Sequence, residues 1–261
     1  MKYLALIKIQ FKDNFTYRMS TIAGILVGIF QVSILYYIWC AVFNEEKYMQ
    51  GYSLKQMITY VIFSTVMYRM IELGITLRVS DLVKSGDIAN KLTKPMGFIS
   101  SLVCESLGIL FANIIVTVIP IAVFSFLTIG GFFQTDLVAL ALFTLSFVLA
   151  LYISIYIDIL FGLLTFWTEN GWGLRVIRQA MIKIFSGALL PLAIMPGWLQ
   201  SICNILPFKT LVDIPLNIYI FGVTRKTIFN LTYQIIWIIV LILLSKILYG
   251  YIVKKLDING G

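Results

Sequence analysis

The sequence predicts an all-α membrane protein of six transmembrane helices, with an amphipathic N-terminal helix, a short cytosolic helical loop and two re-entrant extracellular helices before the last span. Two observations carry this. Of 261 residues, 60% are hydrophobic and only 12% charged, whereas a soluble domain carries about a quarter charged residues. Apolar windows of about twenty residues recur along the chain, each long enough to cross a hydrocarbon core of roughly 30 Å as a helix. A third observation narrows the chemistry. There is no histidine, and the three cysteines, Cys40, Cys104 and Cys203, are far apart in sequence. Histidine-based catalysis and a Cys/His metal site are thereby excluded, and free, packed thiols are expected.

Residues 1–19 intersperse Lys2, Lys8, Lys12 and Arg18 with apolar positions. That pattern lacks the uninterrupted apolar core of a signal peptide and fits a helix lying in the membrane interface. The first span is expected over 20–43 and the second over 57–77. Between the second and third comes "RVSDLVKSGDIANKLTKP", residues 78–95, with six charges in eighteen residues. Its apolar residues Val79, Leu82, Val83, Ile88 and Leu92 recur near helical spacing, and Asp81 or Ser80 is placed to cap its start. Gly86 permits a turn that other residues would strain, and Pro95 stops the helix.

The third span, 98–127, contains Pro120, which kinks rather than ends it, because neighbouring helices can satisfy the freed carbonyl. The fourth, 137–166, is long enough to tilt or to break near Asp158. A polar, basic connection follows. The fifth apolar run, 184–195, stops at Pro196 after a dozen residues, so it must extend backwards through Arg178 and Lys183 to span. Residues 197–222 hold two apolar pieces punctuated by Pro207 and Pro215, each too short to cross, which suits re-entrant or interfacial helices. The last span is expected over 228–249.

Lys and Arg set the orientation. Lys2, Lys8, Lys12, Arg18, Arg78, Lys84, Lys91, Lys94, Arg175, Arg178, Lys183, Lys254 and Lys255 fall on the side of the termini, against Lys47, Lys55, Lys209, Arg225 and Lys226 on the other. The excess places both termini in the cytosol. With the charge explained in this way, the net +8 points to phospholipid rather than nucleic acid.

Arg69, Glu72, Glu105 and Asp158 lie within apolar runs, where an ionisable group costs about 2.5–3.5 kcal/mol at the bilayer centre. Glu72 and Glu105 are expected about 8–10 Å inside the cytosolic boundary at 1.5 Å per residue. Arg69 and Glu72, at i,i+3 spacing, can pair on one helix face. Two readings stay open: a charged vestibule on a transport path, or an ion-pair cluster locking the second, third and fourth spans together.

The residues alone also leave open whether 78–95 merely rests on lipid headgroups. Three stretches bear on that: "LVKSGDIANKLTKPMGF", "FWTENGWGLRVIRQAMIKIFSGALLPLAIMPGWLQSICNILPF" and "IPLNIYIFG". Their order and spacing resemble the permease subunits of ABC-2 type ABC transporters, particularly the drug and viologen exporter branch, over residues 78–222. The resemblance implies a single six-helix domain over the whole chain. It also implies a second permease subunit, identical or related, and two separate ATP-binding cassette ATPase subunits. In such proteins the first cytosolic loop is a coupling helix gripped by the ATPase. By resemblance, Leu82, Lys84, Ser85, Gly86, Asp87, Ile88, Leu92 and Pro95 form it here, and Pro191, Pro196, Trp198, Pro207, Phe208 and Pro215 belong to the extracellular re-entrant segment.

A phosphate cradle of the form GxxxxGK[ST] is absent from the sequence. ATP and Mg are therefore expected on partner chains, with no cofactor on this one, and the chain is expected to be a transport subunit and not an enzyme. The expected function is outward movement of an amphipathic, drug-like, peptide or lipid-linked substrate across the plasma membrane. The alternative is an ion-coupled secondary transporter using Arg69, Glu72, Glu105 and Asp158 as a relay. Inverted repeats, which would favour that alternative, are not evident.

Overall fold

The computed structural model describes residues 2–13, 18–43, 48–92, 96–130, 134–168 and 170–259. Among them, five helical segments are long and apolar enough to cross a membrane: Thr21–Val42, Leu54–Ser85, Phe98–Thr128, Leu137–Thr168 and Arg225–Lys254. The described residues are all-α apart from a hairpin of two two-residue strands, β1 (Tyr48–Met49) and β2 (Tyr52–Ser53), with Met49 paired to Tyr52.

An N-terminal helix, α1 (Lys2–Asp13), precedes the first span, α2 (Arg18–Val42). The second span is two helices, α3 (Leu54–Ile71) and α4 (Ile75–Ser85). Ser53 starts α3 with a capping box. Its hydroxyl accepts from the Gln56 amide at 3.4 Å, and its own amide donates to Gln56 Oε1 at 3.0 Å. Two orphan donors at the helix start are satisfied together.

The sequence predicted a continuous second span to residue 77. The structure breaks it at Glu72–Gly74, where Glu72 leaves helical geometry (φ −87°, ψ 85°) and Gly74 is left-handed (φ 72°). Glycine takes that conformation without a Cβ penalty. The start of α4 is not capped by Asp81 or Ser80. Its cap comes from another helix, as described below.

After α5 (Ile88–Leu92), the third span runs as α6 (Phe98–Asn113), a π-helical turn (Ile114–Val118) and α7 (Ile119–Thr128). It stays helical through Pro120, and the wider turn just before the proline is a usual accommodation in an interrupted hydrogen-bond ladder. The fourth span, α8 (Leu137–Thr168), is unbroken at Asp158.

The fifth run takes a different form from the expected long helix. Helix α9 (Gly171–Phe185) has 15 residues, about 22 Å, and is followed by an irregular stretch with a 3-10 turn at Leu192–Ile194. The cause is local. Gly187 sits at φ 83°, its carbonyl accepts from the Tyr60 hydroxyl at 2.8 Å, and a Cβ there would lie 2.6 Å from that hydroxyl. Pro191 and Pro196 then prevent helix from resuming before α10 (Gly197–Ile205).

Helix α11 (Asp213–Phe221), like α10, has nine residues, about 13 Å, so neither can cross. Pro207 opens the 3-10 turn Pro207–Thr210, and Pro215 sits in the first turn of α11, where no intrahelical donor is lost. Helix α12 (Arg225–Asn259) is the last span.

Among the described residues, the two largest apolar cores hold the centre of the bundle. Helix α3 is buried nearly all round and central. Its Met57, Tyr60 and Met67 pack with Tyr52, with Ile153 and Ile157 of α8, and with Leu216 and Tyr219 of α11. The second core joins Ile75 and Val79 of α4 to Phe98 and Leu102 of α6 and Ile159 and Leu163 of α8. Small residues let backbones approach here, as in membrane helix pairs generally. A Cβ on Gly108 of α6 would lie 2.6 Å from the Ile7 carbonyl of α1, and one on Gly171 would lie 2.3 Å from Ser80 Cβ of α4.

Candidate functional site: the anchored α4–α5 segment

Helix α4 is strongly amphipathic, and its buried residues Ile75, Thr76, Val79 and Ser80 lie against the bundle. Its exit is a tight turn. Gly86 adopts φ 77° and donates its amide to the Val83 carbonyl at 3.3 Å, a left-handed helix end that favours glycine. Ser85 Oγ donates to Asp87 Oδ2 at 3.1 Å and accepts from the Asp87 amide at 3.3 Å, while Asn90 donates to Asp87 Oδ1 at 3.4 Å. The turn therefore presents Lys84, Ser85, Gly86 and Asp87 to the outside. Leu77, Arg78, Asp81, Leu82, Ser85 and Asp87 edge an open groove of ≈ 490 Å³.

Ile88 departs from the expected surface contact. It is 7% exposed and packs into the second core with Phe98 and Leu102. Leu92 ends α5, and Pro95 lies outside the described residues.

The four charges expected as one intramembrane cluster do not form one. The three carboxylates instead become separate anchors around α4. Asp158, fully buried in α8, accepts from the Ile75 amide at 3.1 Å, from the Thr76 amide at 3.0 Å and from the Thr76 hydroxyl. It thus caps α4 from another helix, satisfying orphan amides and placing negative charge at the positive end of the helix. Its second partner is Arg178 Nε of α9 at 3.4 Å, with both side chains fully buried.

Glu72, at the α3–α4 break, does not pair with Arg69. It binds Arg175 at 2.7 Å and also Gln179, both on α9. Once α3 ends at Ile71, the i,i+3 geometry that would bring Glu72 over Arg69 no longer exists. Glu105 of α6 binds Lys91 of α5 at 2.8 Å and Arg78 of α4 at 3.5 Å. Arg78 also reaches Gln10 and Asp13 of α1, the latter at 3.8 Å.

Sequence reasoning did not find Thr76, Arg175, Arg178 and Gln179 as partners of these acids. The one local signal was the placing of Arg175, Arg178 and Gln179 at three- and four-residue spacing, which puts them on one face of α9.

At the other end of the bundle, Phe208 is buried, whereas Trp198 is 68% exposed. Pro191, Pro196, Pro207 and Pro215 bound the short pieces around them. Asp213 ties this region together. Its amide donates to the Ser186 carbonyl at 3.0 Å, and its Oδ1 accepts from the Leu192 amide at 3.3 Å. Burial pushes its pKa up to about 6, with the Leu192 amide, the Asn217 side chain and Lys209 opposing the rise.

Because the folded pKa is raised, the fold favours the protonated form. Stability from this group is complete below the unfolded value of 3.8 and is lost as pH rises through about 6. Amide exchange over 186–192 should accordingly speed up between pH 4 and 7 beyond its intrinsic pH dependence, by up to about a hundredfold, and Asp213→Asn should abolish that excess.

No curated protein matches the chain significantly. A family model described as ABC-2 family transporter protein matches residues 27–260, from within the first span through all of α12, and the anchored α4–α5 segment lies inside the match. The chain belongs to the ABC-2 transporter family and is one of its membrane-embedded permeases.

Proposed function

We propose that this permease is the transmembrane subunit of an ATP-driven exporter, powered by two ATP-binding cassette ATPase subunits carried on separate chains and paired with a second permease. In this reading the termini and the α4–α5 turn face the cytosol, α9 with the stretch after it makes a sixth crossing, and α10 and α11 are re-entrant from outside. The observation that carries the reading is the anchoring of α4. A helix whose exposed tip bears Lys84, Ser85 and Asp87 is tied directly to α6 by Glu105 and to α8 by Asp158, and the break at its start is tied to α9 by Glu72. A push on the tip would reach three other helices without passing through a flexible joint.

The same geometry argues against an ion-coupled relay, since each acid is already committed to internal cations or amides. The substrate expected from the family is an amphipathic or lipid-linked compound, bound by apolar walls more than by fixed polar contacts.

Co-expression with a cognate ATPase tests the reading. The expected result is a stable complex whose ATP hydrolysis drives export from reconstituted vesicles. Export that persists without any ATPase and collapses with the proton gradient would contradict it.

A further inference from the structure

The end of α11 and the start of α12 enclose a cavity of ≈ 220 Å³, apart from the anchored α4–α5 segment. Its two helical walls share one pattern. Asn217, Ile218 and Phe221 line it from α11, and Lys226, Thr227 and Asn230 line it from α12. Each set is spaced i, i+1 and i+4, which at 3.6 residues per turn confines it to about 100° of a helix face.

Both walls are held in place by the protein itself. Tyr52, 1% exposed, fixes the first: its hydroxyl donates to Asn217 Oδ1 at 2.8 Å, and its ring meets that of Phe221 edge-on with centroids 4.8 Å apart. Thr227 is also buried, and its Oγ1 accepts from the Thr224 amide at 2.9 Å, which sets the start of α12. Neither wall depends on a ligand for its position.

The polar groups in this frame are donors in excess. Lys226 is exposed and forms no ion pair among the described residues, and the Asn230 side chain makes no hydrogen bond among them. No lining residue is acidic. An ammonium donates three hydrogen bonds and accepts none, so the group that completes it is an anionic oxygen, which accepts short, charge-assisted bonds. Size narrows the ligand further. The cavity is smaller than the roughly 300–1,000 Å³ that drug-sized molecules occupy, so it suits a head group and not a whole amphipathic substrate.

We propose that the α11–α12 cavity binds a phosphate head group, held by Lys226 with the Asn230 and Thr224 side chains, while the atoms next to the phosphate lie against Phe221. The site goes beyond the exporter reading and does not depend on it. A head group touching both walls would clamp α11 to the start of α12, and Asn217 would pass that restraint to Tyr52 at the entry of α3.

The test uses the intact permease in dodecyl maltoside micelles, which contribute no phosphate, with Tm as the readout. Glycerophosphate or dioctanoyl phosphatidic acid should raise Tm saturably by several degrees, whereas glycerol and dioctanoylglycerol should not. Lys226→Gln should weaken the apparent affinity about tenfold without lowering the ligand-free Tm. Lys55→Gln, which removes an exposed lysine that does not line the cavity, should leave the affinity unchanged. A rise with glycerophosphate identifies a soluble phosphoester, and a rise confined to dioctanoyl phosphatidic acid identifies a lipid head group. No saturable rise with either, an equal rise with the phosphate-free analogues, an unchanged affinity in Lys226→Gln, or an equal loss in Lys55→Gln would overturn the proposal.

Discussion

Asp158→Asn should lower the Tm of the permease by about 10 °C and abolish ATP-driven transport. Removing one member of a buried ion pair leaves an uncompensated charge and costs about 3–5 kcal/mol, and in a chain of this size each kcal/mol corresponds to about 2–4 °C in Tm. Here Arg178 is fully buried, and Asp158 is its one ion-pair partner among the described residues. The substitution also weakens the cap on the Ile75 and Thr76 amides. Two controls follow from the geometry. Arg178→Met should cost less, because the carboxylate keeps its α4 donors. The double variant Asp158→Asn with Arg178→Met should recover part of the loss, since no buried cation remains unpaired. Differential scanning fluorimetry on the three proteins gives the order directly.

Gly86→Val should have the second largest effect, and of a different kind. At φ 77°, valine costs about 1–2 kcal/mol in backbone strain, so the turn reshapes and the direction of α5 changes. A Cβ at this position meets nothing within 4 Å, so packing is untouched and Tm should fall by only a few degrees. ATP hydrolysis by the complex should continue while transport per ATP drops about tenfold, the factor corresponding to about 1.4 kcal/mol. Asp87→Lys should act in the same direction, because it removes the acceptor for Ser85 and Asn90. Parallel loss of hydrolysis and Tm would indicate a folding defect instead.

The spans and the 78–95 segment were legible because their signals are local. Hydropathy windows of about twenty residues found α2, α8 and the start of α12 to within a few residues, while α12 runs ten residues past its expected end, and Ser85-Gly86 marked the turn between α4 and α5. The site's wiring was not legible, because it is tertiary. Asp158 caps a helix 83 residues earlier in the chain, and Glu72 meets an arginine 103 residues later, and no periodicity encodes such pairings. The i,i+3 spacing of Arg69 and Glu72 pointed to a pair that the helix break at Glu72 removes. That break was hidden because Gly74 sits in otherwise continuous apolar sequence. Ile88 shared the helical spacing of the surface residues, yet the turn of α5 directs it into the core.

The central claim is that the tip of α4–α5 is the contact gripped by the ATPase. A photo-activatable residue in place of Asp87, in the assembled complex, tests it most directly. The account predicts a light-dependent adduct between position 87 and the ATPase, with none from the same probe at position 198 at the opposite end of the bundle. An adduct from position 198 and none from 87, or labelling of position 87 by an impermeant reagent outside intact cells, would contradict it.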